Sequence, residues 1–167
     1  MDYCRWCCPN VTAEAVAICD ASALEGRVLT GGNDLATLGG YATERDATEN
    51  ALLDAVELRG LPVLRVYRGV QLIQQRCAIP LRRVTGHVTT RQTIRIDGGP
   101  AEVNSYHRFA ALESRPPLEV WAVAADHVVK AICRSALSIT GIMWRPERNS
   151  PFATTDVALC HRVFNVA

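Results

Sequence analysis

The sequence has no long hydrophobic run, no surplus of charge and no paired-cysteine framework, and each absence removes a class of protein. No apolar stretch approaches the roughly 20 residues that a helix needs to cross a bilayer, and no signal-peptide pattern opens the chain. A soluble, cytoplasmic protein is the expectation. Lys and Arg number 18 against 17 Asp and Glu, a net charge of +1. Without a basic block, neither nucleic acid nor a membrane surface is an expected partner. The seven cysteines are odd in number and show no paired spacing, which reads as free thiols in a reducing compartment. Cys4, Cys7 and Cys8 cluster, but tetrahedral zinc needs four ligands and no second pair follows at finger or ribbon spacing. No metal and no other cofactor is expected, and the chain carries no internal repeat or low-complexity tract.

What is present is a chain of 167 residues with 49% hydrophobic content, enough for one sizeable core and one domain over 1–167. Residues 13–23 read as helix, and Val28–Thr30 as a short strand entering the turn Gly31-Gly32-Asn33-Asp34. Thr43–Arg59 is the clearest helix. Thr43 is the expected N-cap with Asp46 three residues on, and Ala47, Ala51, Leu52, Ala55 and Val56 form its apolar stripe. Gly60 ends it and Pro62 opens a buried strand, Val63–Val66. This strand–helix–strand order predicts an α/β fold with an open, mostly parallel sheet covered by helices on both faces. Past Pro80 the pattern changes. His87–Ile96 alternates like an antiparallel strand, Glu119–Ala125 and Val128–Arg134 read as a hairpin around Asp126-His127, and Ile139–Trp144 has a buried-strand composition. Thr155–Phe164 is the closing helix.

The stretch LPVLRVYRGVQLIQQ, Leu61–Gln75, has the form of a nucleophile elbow, a strand turning sharply into a helix so that one side chain is lifted into a cleft. The lifted residue is Tyr67. An open α/β sheet places ligands at the carboxyl ends of its strands, and three segments end there: the Gly31-Gly32 turn, the Tyr67 elbow and Trp144-Arg145-Pro146-Glu147.

The segments LTGGNDLATLGGYATERDATENALLDA, LPVLRVYRGVQL, EVNSYHR and ITGIMWRPER, in that order, resemble the class I glutamine amidotransferase superfamily. The branch they resemble most is the γ-glutamyl hydrolases related to γ-glutamyl-γ-aminobutyrate hydrolase and γ-glutamyl-CDP-amidate hydrolase. The resemblance implies a flavodoxin-like fold and hydrolysis of a γ-glutamyl amide through a Cys-His-Glu triad. Carried over by position, the nucleophile falls on Tyr67, the base on Arg145 and the orienting acid on Glu147. The oxyanion donors fall near Gly32 and Arg68. The substrate-side positions are Asn33, Asp34, Gln71 and the run Asn104-Ser105-Tyr106-His107.

Two of those positions depart from the family's pattern. A phenol, with a pKa near 10, is mostly protonated at neutral pH and needs a base. A guanidinium stays charged and has no acceptor lone pair, so Arg145 cannot be that base. The first elbow glycine of the family is Arg65 here, while the second, Gly69, remains. The chain is therefore expected to be inactive, with Tyr67 closing the former active site and Arg145 ion-paired to Glu147. The alternatives are a pseudoenzyme that binds a γ-glutamyl or other carboxylate compound or a partner protein, and a hydrolase working by another device. His107 is the one histidine inside a substrate-side motif. The resemblance begins near Cys8 and implies that the family's first strand and helix are absent. The uncovered sheet edge would then be a contact for a second copy or for a different partner chain.

Overall fold

The helix at Thr43–Arg59 forms for reasons local to its sequence. It contains neither glycine nor proline, and Glu44 and Asp46 in its first turn and Arg59 in its last complement the helix dipole. Gly60 stops it in the left-handed conformation, φ 63°. Its start departs from expectation. Ala42 is the N-cap and Thr43 the first helical residue, while the Asp46 carboxylate accepts the Ala36 backbone N–H at 2.8 Å. Of the expected stripe Leu52, Ala55 and Val56 are buried, Ala51 is partly buried and Ala47 is exposed, while Leu53 and Glu49 are buried beside it. Hydrophobic periodicity does not anticipate an acid turned inward, and Glu49 is inward because two arginines hold it there.

The computed structural model describes residues 12–21, 24–96 and 98–165. The Cys4, Cys7 and Cys8 cluster, the segment before Pro9-Asn10 and the last two residues of the helix expected over 13–23 lie outside them. In order, the elements are α1 (Thr12–Ala21), β1 (Arg27–Leu29), α2 (Thr43–Arg59), β2 (Val63–Val66), α3 (Arg68–Arg76), β3 (Arg82–Arg83), β4 (Val88–Ile96) and β5 (Gly99–Tyr106). They are followed by β6 (Phe109–Ala110), β7 (Glu119–Ala124), β8 (Val129–Arg134), β9 (Ile139–Ile142) and α4 (Thr154–Phe164). Among the described residues no helix is long and apolar enough to cross a membrane.

A seven-stranded sheet runs β1-β2-β9-β8-β7-β4-β5, and β3 and β6 pair separately. The expected parallel arrangement holds for β1, β2 and β9, where Leu29, Arg65 and Gly141 stand in one register. The remaining neighbours are antiparallel, so the sheet is mixed rather than mostly parallel. The connections explain this: α2 carries the chain over from β1 to β2, whereas β4–β5 and β7–β8 are joined by turns too short for a crossover. β2 is buried along its whole length, with α3 and α4 both packed against it. The main core gathers Val63, Leu64, Val66, Val70, Ile132, Ile142 and Trp144, and a smaller one joins α1, α2 and α3 through Ala15, Leu29, Leu52, Leu53 and Leu72.

Candidate functional site: a closed elbow

Tyr67 stands between β2 and α3 at φ 53°, ψ −99°, a backbone state that a bulky side chain adopts only under constraint. The constraint is visible. Its N–H donates to the Ile142 carbonyl at 2.7 Å, and its own carbonyl accepts from Val70 N at 3.0 Å and Gln71 N at 3.3 Å. The strand bond and the first helical bonds thus fix both ends of the turn. Gly69 is required by the same geometry, since a Cβ there would lie 3.2 Å from both the Arg65 Cβ and the Leu29 carbonyl oxygen.

Arg65 does not block the turn. Its side chain is wholly buried and Nη1 donates to the Gly69 carbonyl at 2.6 Å, bracing the elbow from below. That is its one hydrogen bond; Nε and Nη2 have no partner, and burial pulls its pKa down to about 9.

The Tyr67 side chain is 5% exposed, and its hydroxyl donates to Asp34 Oδ1 at 3.1 Å. Burial, and then the Asp34 carboxylate, push the phenol up to about 12, against the weaker pull of Arg108 and Arg145. The ring therefore remains a neutral phenol throughout the physiological range. The Arg145 guanidinium lies 5.9 Å from the ring centroid, and its Nε donates to Glu147 Oε1 at 2.7 Å. Gly31 is the floor for both, since a Cβ there would sit 3.1 Å from Arg145 Nε and from Tyr67 Cδ1. The three expected triad positions are thus brought together, as an ion pair beside a phenol.

The glycine turn is capped from the other side. Arg45 donates to the Thr30 carbonyl at 3.0 Å and the Gly31 carbonyl at 3.1 Å, and a Cβ on Gly32 would overlap its guanidinium. Arg68 opens α3, as its position requires, but its side chain turns wholly inward and pairs with Asp46 and Glu49. Burial lowers its pKa, with Glu49 and Asp46 opposing. Glu49 also receives Arg45 Nε at 2.7 Å, and Asp34 receives Arg108 at 3.2 Å. Arg45, Arg68, Arg108 and Arg145 are therefore each matched to a carboxylate of the same chain, whereas Arg65 is not.

Of the remaining substrate-side positions, Gln71, Asn104 and Tyr106 are engaged within the chain. Gln71 is fully buried and its amide donates to the Phe109 carbonyl at 2.8 Å, so it does not face open space. Asn33 is half-buried, with an amide nitrogen that has no partner. Asn104 holds the Arg145 turn from both sides, accepting Arg145 N at 2.8 Å and donating to its carbonyl at 2.9 Å. The Tyr106 ring lies under the Arg148 guanidinium at 4.7 Å.

Ser105 and His107 are fully buried around a residue that sequence reasoning passed over, Lys130. Its Nζ lies 2.9 Å from Ser105 Oγ and 2.8 Å from His107 Nε2. Burial lowers Lys130 to about 7, and burial followed by Lys130 and His87 lowers His107 to about 2. The His107 ring is 6.4 Å from that of Tyr67 by centroid, and its Nε2 is committed to Lys130. It has no free lone pair on that nitrogen to take a proton from the elbow. His87, also buried, is bonded to Asp126 at 2.7 Å. The signal for Lys130 was a single cation inside the apolar run VVKAIC; for Arg45 and Glu49 it was their i, i+4 spacing on α2.

A glycine turn, an elbow and a third strand-end segment at one edge of a mixed α/β sheet define the flavodoxin-like fold of class I glutamine amidotransferases. Comparison with solved structures agrees: a Thermoplasma acidophilum protein described as a putative GMP synthase subunit matches with a TM-score of 0.71 at 14% identity, over 90% of this chain and 75% of its own. The Peptidase C26 family profile matches residues 82–147, a segment that includes Asn104–His107, Arg145 and Glu147 and leaves Tyr67 outside. The Mycobacterium tuberculosis (strain H37Rv) protein named "Putative glutamine amidotransferase Rv2859c" is 29% identical over 78% of this chain. The chain spans about half the length of that relative, 53%. Together these similarities support a glutamine amidotransferase-like protein of the class I superfamily.

Proposed function

We propose that this chain is a γ-glutamyl-hydrolase-like protein without hydrolase activity, its former nucleophile site filled by its own side chains. The observation that carries this reading is the Tyr67 phenol, bonded to Asp34 and held protonated up to about pH 12. Acyl transfer needs a deprotonated nucleophile and a group that accepts and later returns the proton. At the corresponding positions stand a neutral phenol and a guanidinium already bound to Glu147. A carboxylate-binding role at the elbow gains no support, because Arg45, Arg68, Arg108 and Arg145 all have carboxylate partners within the chain.

The test is hydrolysis of a chromogenic γ-glutamyl anilide by the unmodified chain and by the double variant Tyr67→Cys, Arg145→His. The unmodified chain should show only the buffer rate and no mass increment on residue 67. Turnover equal to or above that of the double variant, or a glutamyl adduct on Tyr67 that forms and clears, would overturn the reading.

A further inference from the structure

Away from the elbow, α4 packs on β2, at the parallel end of the sheet, while the sheet continues through β8 and β7 to β4 and β5. Twist carries those distant strands away from a helix anchored at the other end. The gap left between α4, the loop that leads into it and the face of β7, β4 and β5 is a cleft of about 680 Å³. That volume is within the range of small-molecule sites, roughly 300–1,000 Å³.

Its floor is apolar and its rim polar. Ile94, Val103, Trp144 and Leu159 line it and are buried, and Trp121 stands edge-on to Trp144 with ring centroids 5.8 Å apart. Both indole N–H groups are engaged, Trp121 with the Ile132 carbonyl and Trp144 with Asp156, so neither indole needs a polar partner from an occupant. The exposed arginines are different. Arg91 is paired with Glu102 at 3.0 Å, but Arg148 and Arg162 have no carboxylate partner among the described residues. Arg148 rests only on the face of Tyr106. Arg91, Arg148 and Asn149 also line an adjoining hollow of about 330 Å³, which widens the cleft on this side.

We propose that this cleft binds a small organic acid with a flat apolar body, the body lying against Trp121 and its carboxylate meeting one of the two unpaired arginines at the rim, Arg148 or Arg162. A planar guanidinium matches a carboxylate in geometry as well as charge. A dianion such as a phosphate monoester is a poorer match, because Glu102 and Asp156 also border the space. The site adjoins the elbow through the backbone, since Arg148 N–H donates to the Arg145 carbonyl at 3.0 Å, but neither the Arg148 nor the Arg162 side chain is bonded to Tyr67.

The experiment is calorimetric titration of the unmodified chain at low salt with 1-naphthoate, with neutral 1-naphthamide and with 1-naphthyl phosphate. Naphthoate should bind at least about tenfold more tightly than the amide, and the advantage should shrink on adding salt because the pairing is exposed. Arg148→Ala combined with Arg162→Ala, both surface changes, should erase that advantage while leaving amide binding unchanged. Ala101→Phe, which fills the cleft, should remove binding of both, with circular dichroism showing that the fold is kept. Equal binding of acid and amide, indifference to the double arginine change, tighter binding of the phosphate, or no heat with any probe at about 5 mM overturns the proposal. So does a self-associated chain that Ala101→Phe dissociates, since the cleft would then be a contact between copies.

Discussion

Four arginines at the elbow and two at the cleft are partnered in opposite ways. At the parallel end, around the elbow, Arg45, Arg68, Arg108 and Arg145 are each tied to an acid of the same chain. At the antiparallel end, Arg148 and Arg162 border the cleft with no such partner among the described residues. An exposed guanidinium that lacks a counter-charge retains capacity for a ligand, whereas Arg27 and Arg65, buried without a carboxylate partner, do not. The elbow also separates backbone from chemistry. The positive φ at Tyr67 and the close approach at Gly69 survive, because the strand and helix bonds that impose them do not depend on which side chain is lifted.

The largest way to disturb the contrast is to take away the acid on which the elbow's charges converge. Glu49 is buried and receives both Arg45 and Arg68, and Arg68 has no exposure of its own. Removing one member of a buried ion pair leaves a charge unmatched, at a cost of about 3–5 kcal/mol. Glu49→Ala should lose stability on that scale in urea denaturation. A loss near that of an exposed pair would mean that the network is solvated and the elbow is not sealed.

Arg65 makes the opposite prediction in the same half. It is wholly buried, with a single hydrogen bond and two nitrogens unpartnered. Replacing buried ionic groups by well-packed apolar side chains of similar volume is often neutral or stabilising, by up to about 1–4 kcal/mol. Arg65→Met should raise the denaturation midpoint without altering the slope of the transition. A fall instead would show that the bond to the Gly69 carbonyl is what holds the elbow in its strained state.

These two residues also mark how far the sequence could be read. The run of β1, α2, β2, elbow and α3 was legible because periodicity, Gly60, Pro62 and Gly69 each act locally. β5 was not anticipated as a strand: it begins Gly99-Pro100 and its buried positions cluster at its C-terminal end. The extent of the parallel arrangement was overestimated, because strand direction depends on connections that fold back through turns. At the site the positions were legible but their partners were not. Nothing local in the sequence says that Asp34 will receive the phenol, or that Ser105 and His107 will close around a lysine from β8.

Lys130 gives a smaller, pH-dependent effect. Its pKa is about 7 folded against an ordinary 10.5, so between those values the unfolded chain binds more protons than the folded one. Stability must then rise with pH across that window, by about 1 kcal/mol per unit. The measurement belongs between pH 7 and 9, because above that the raised pKa values of Cys77, Cys160 and Tyr67 act in the opposite direction. Below it, the depressed His107 lowers stability as pH falls from 6.5, adding to the same trend. Lys130→Met should flatten the rise between 7 and 9, and an unchanged slope would place the titrating group elsewhere.

The smallest effect is expected at Glu147. Glu147 is 45% exposed in its side chain and makes one contact, with Arg145 Nε. Exposed ion pairs contribute about 0.2–1 kcal/mol and weaken with salt. The turn itself is held by Asn104 through the Arg145 backbone, which leaves the Glu147 carboxylate with little structural duty. Glu147→Gln should therefore shift stability by about 0.5 kcal/mol or less at low salt and by nothing measurable at 1 M salt. A loss of several kcal/mol would mean that Arg145 depends on this acid to stay over Tyr67, and that the elbow is closed by a clasp rather than by packing.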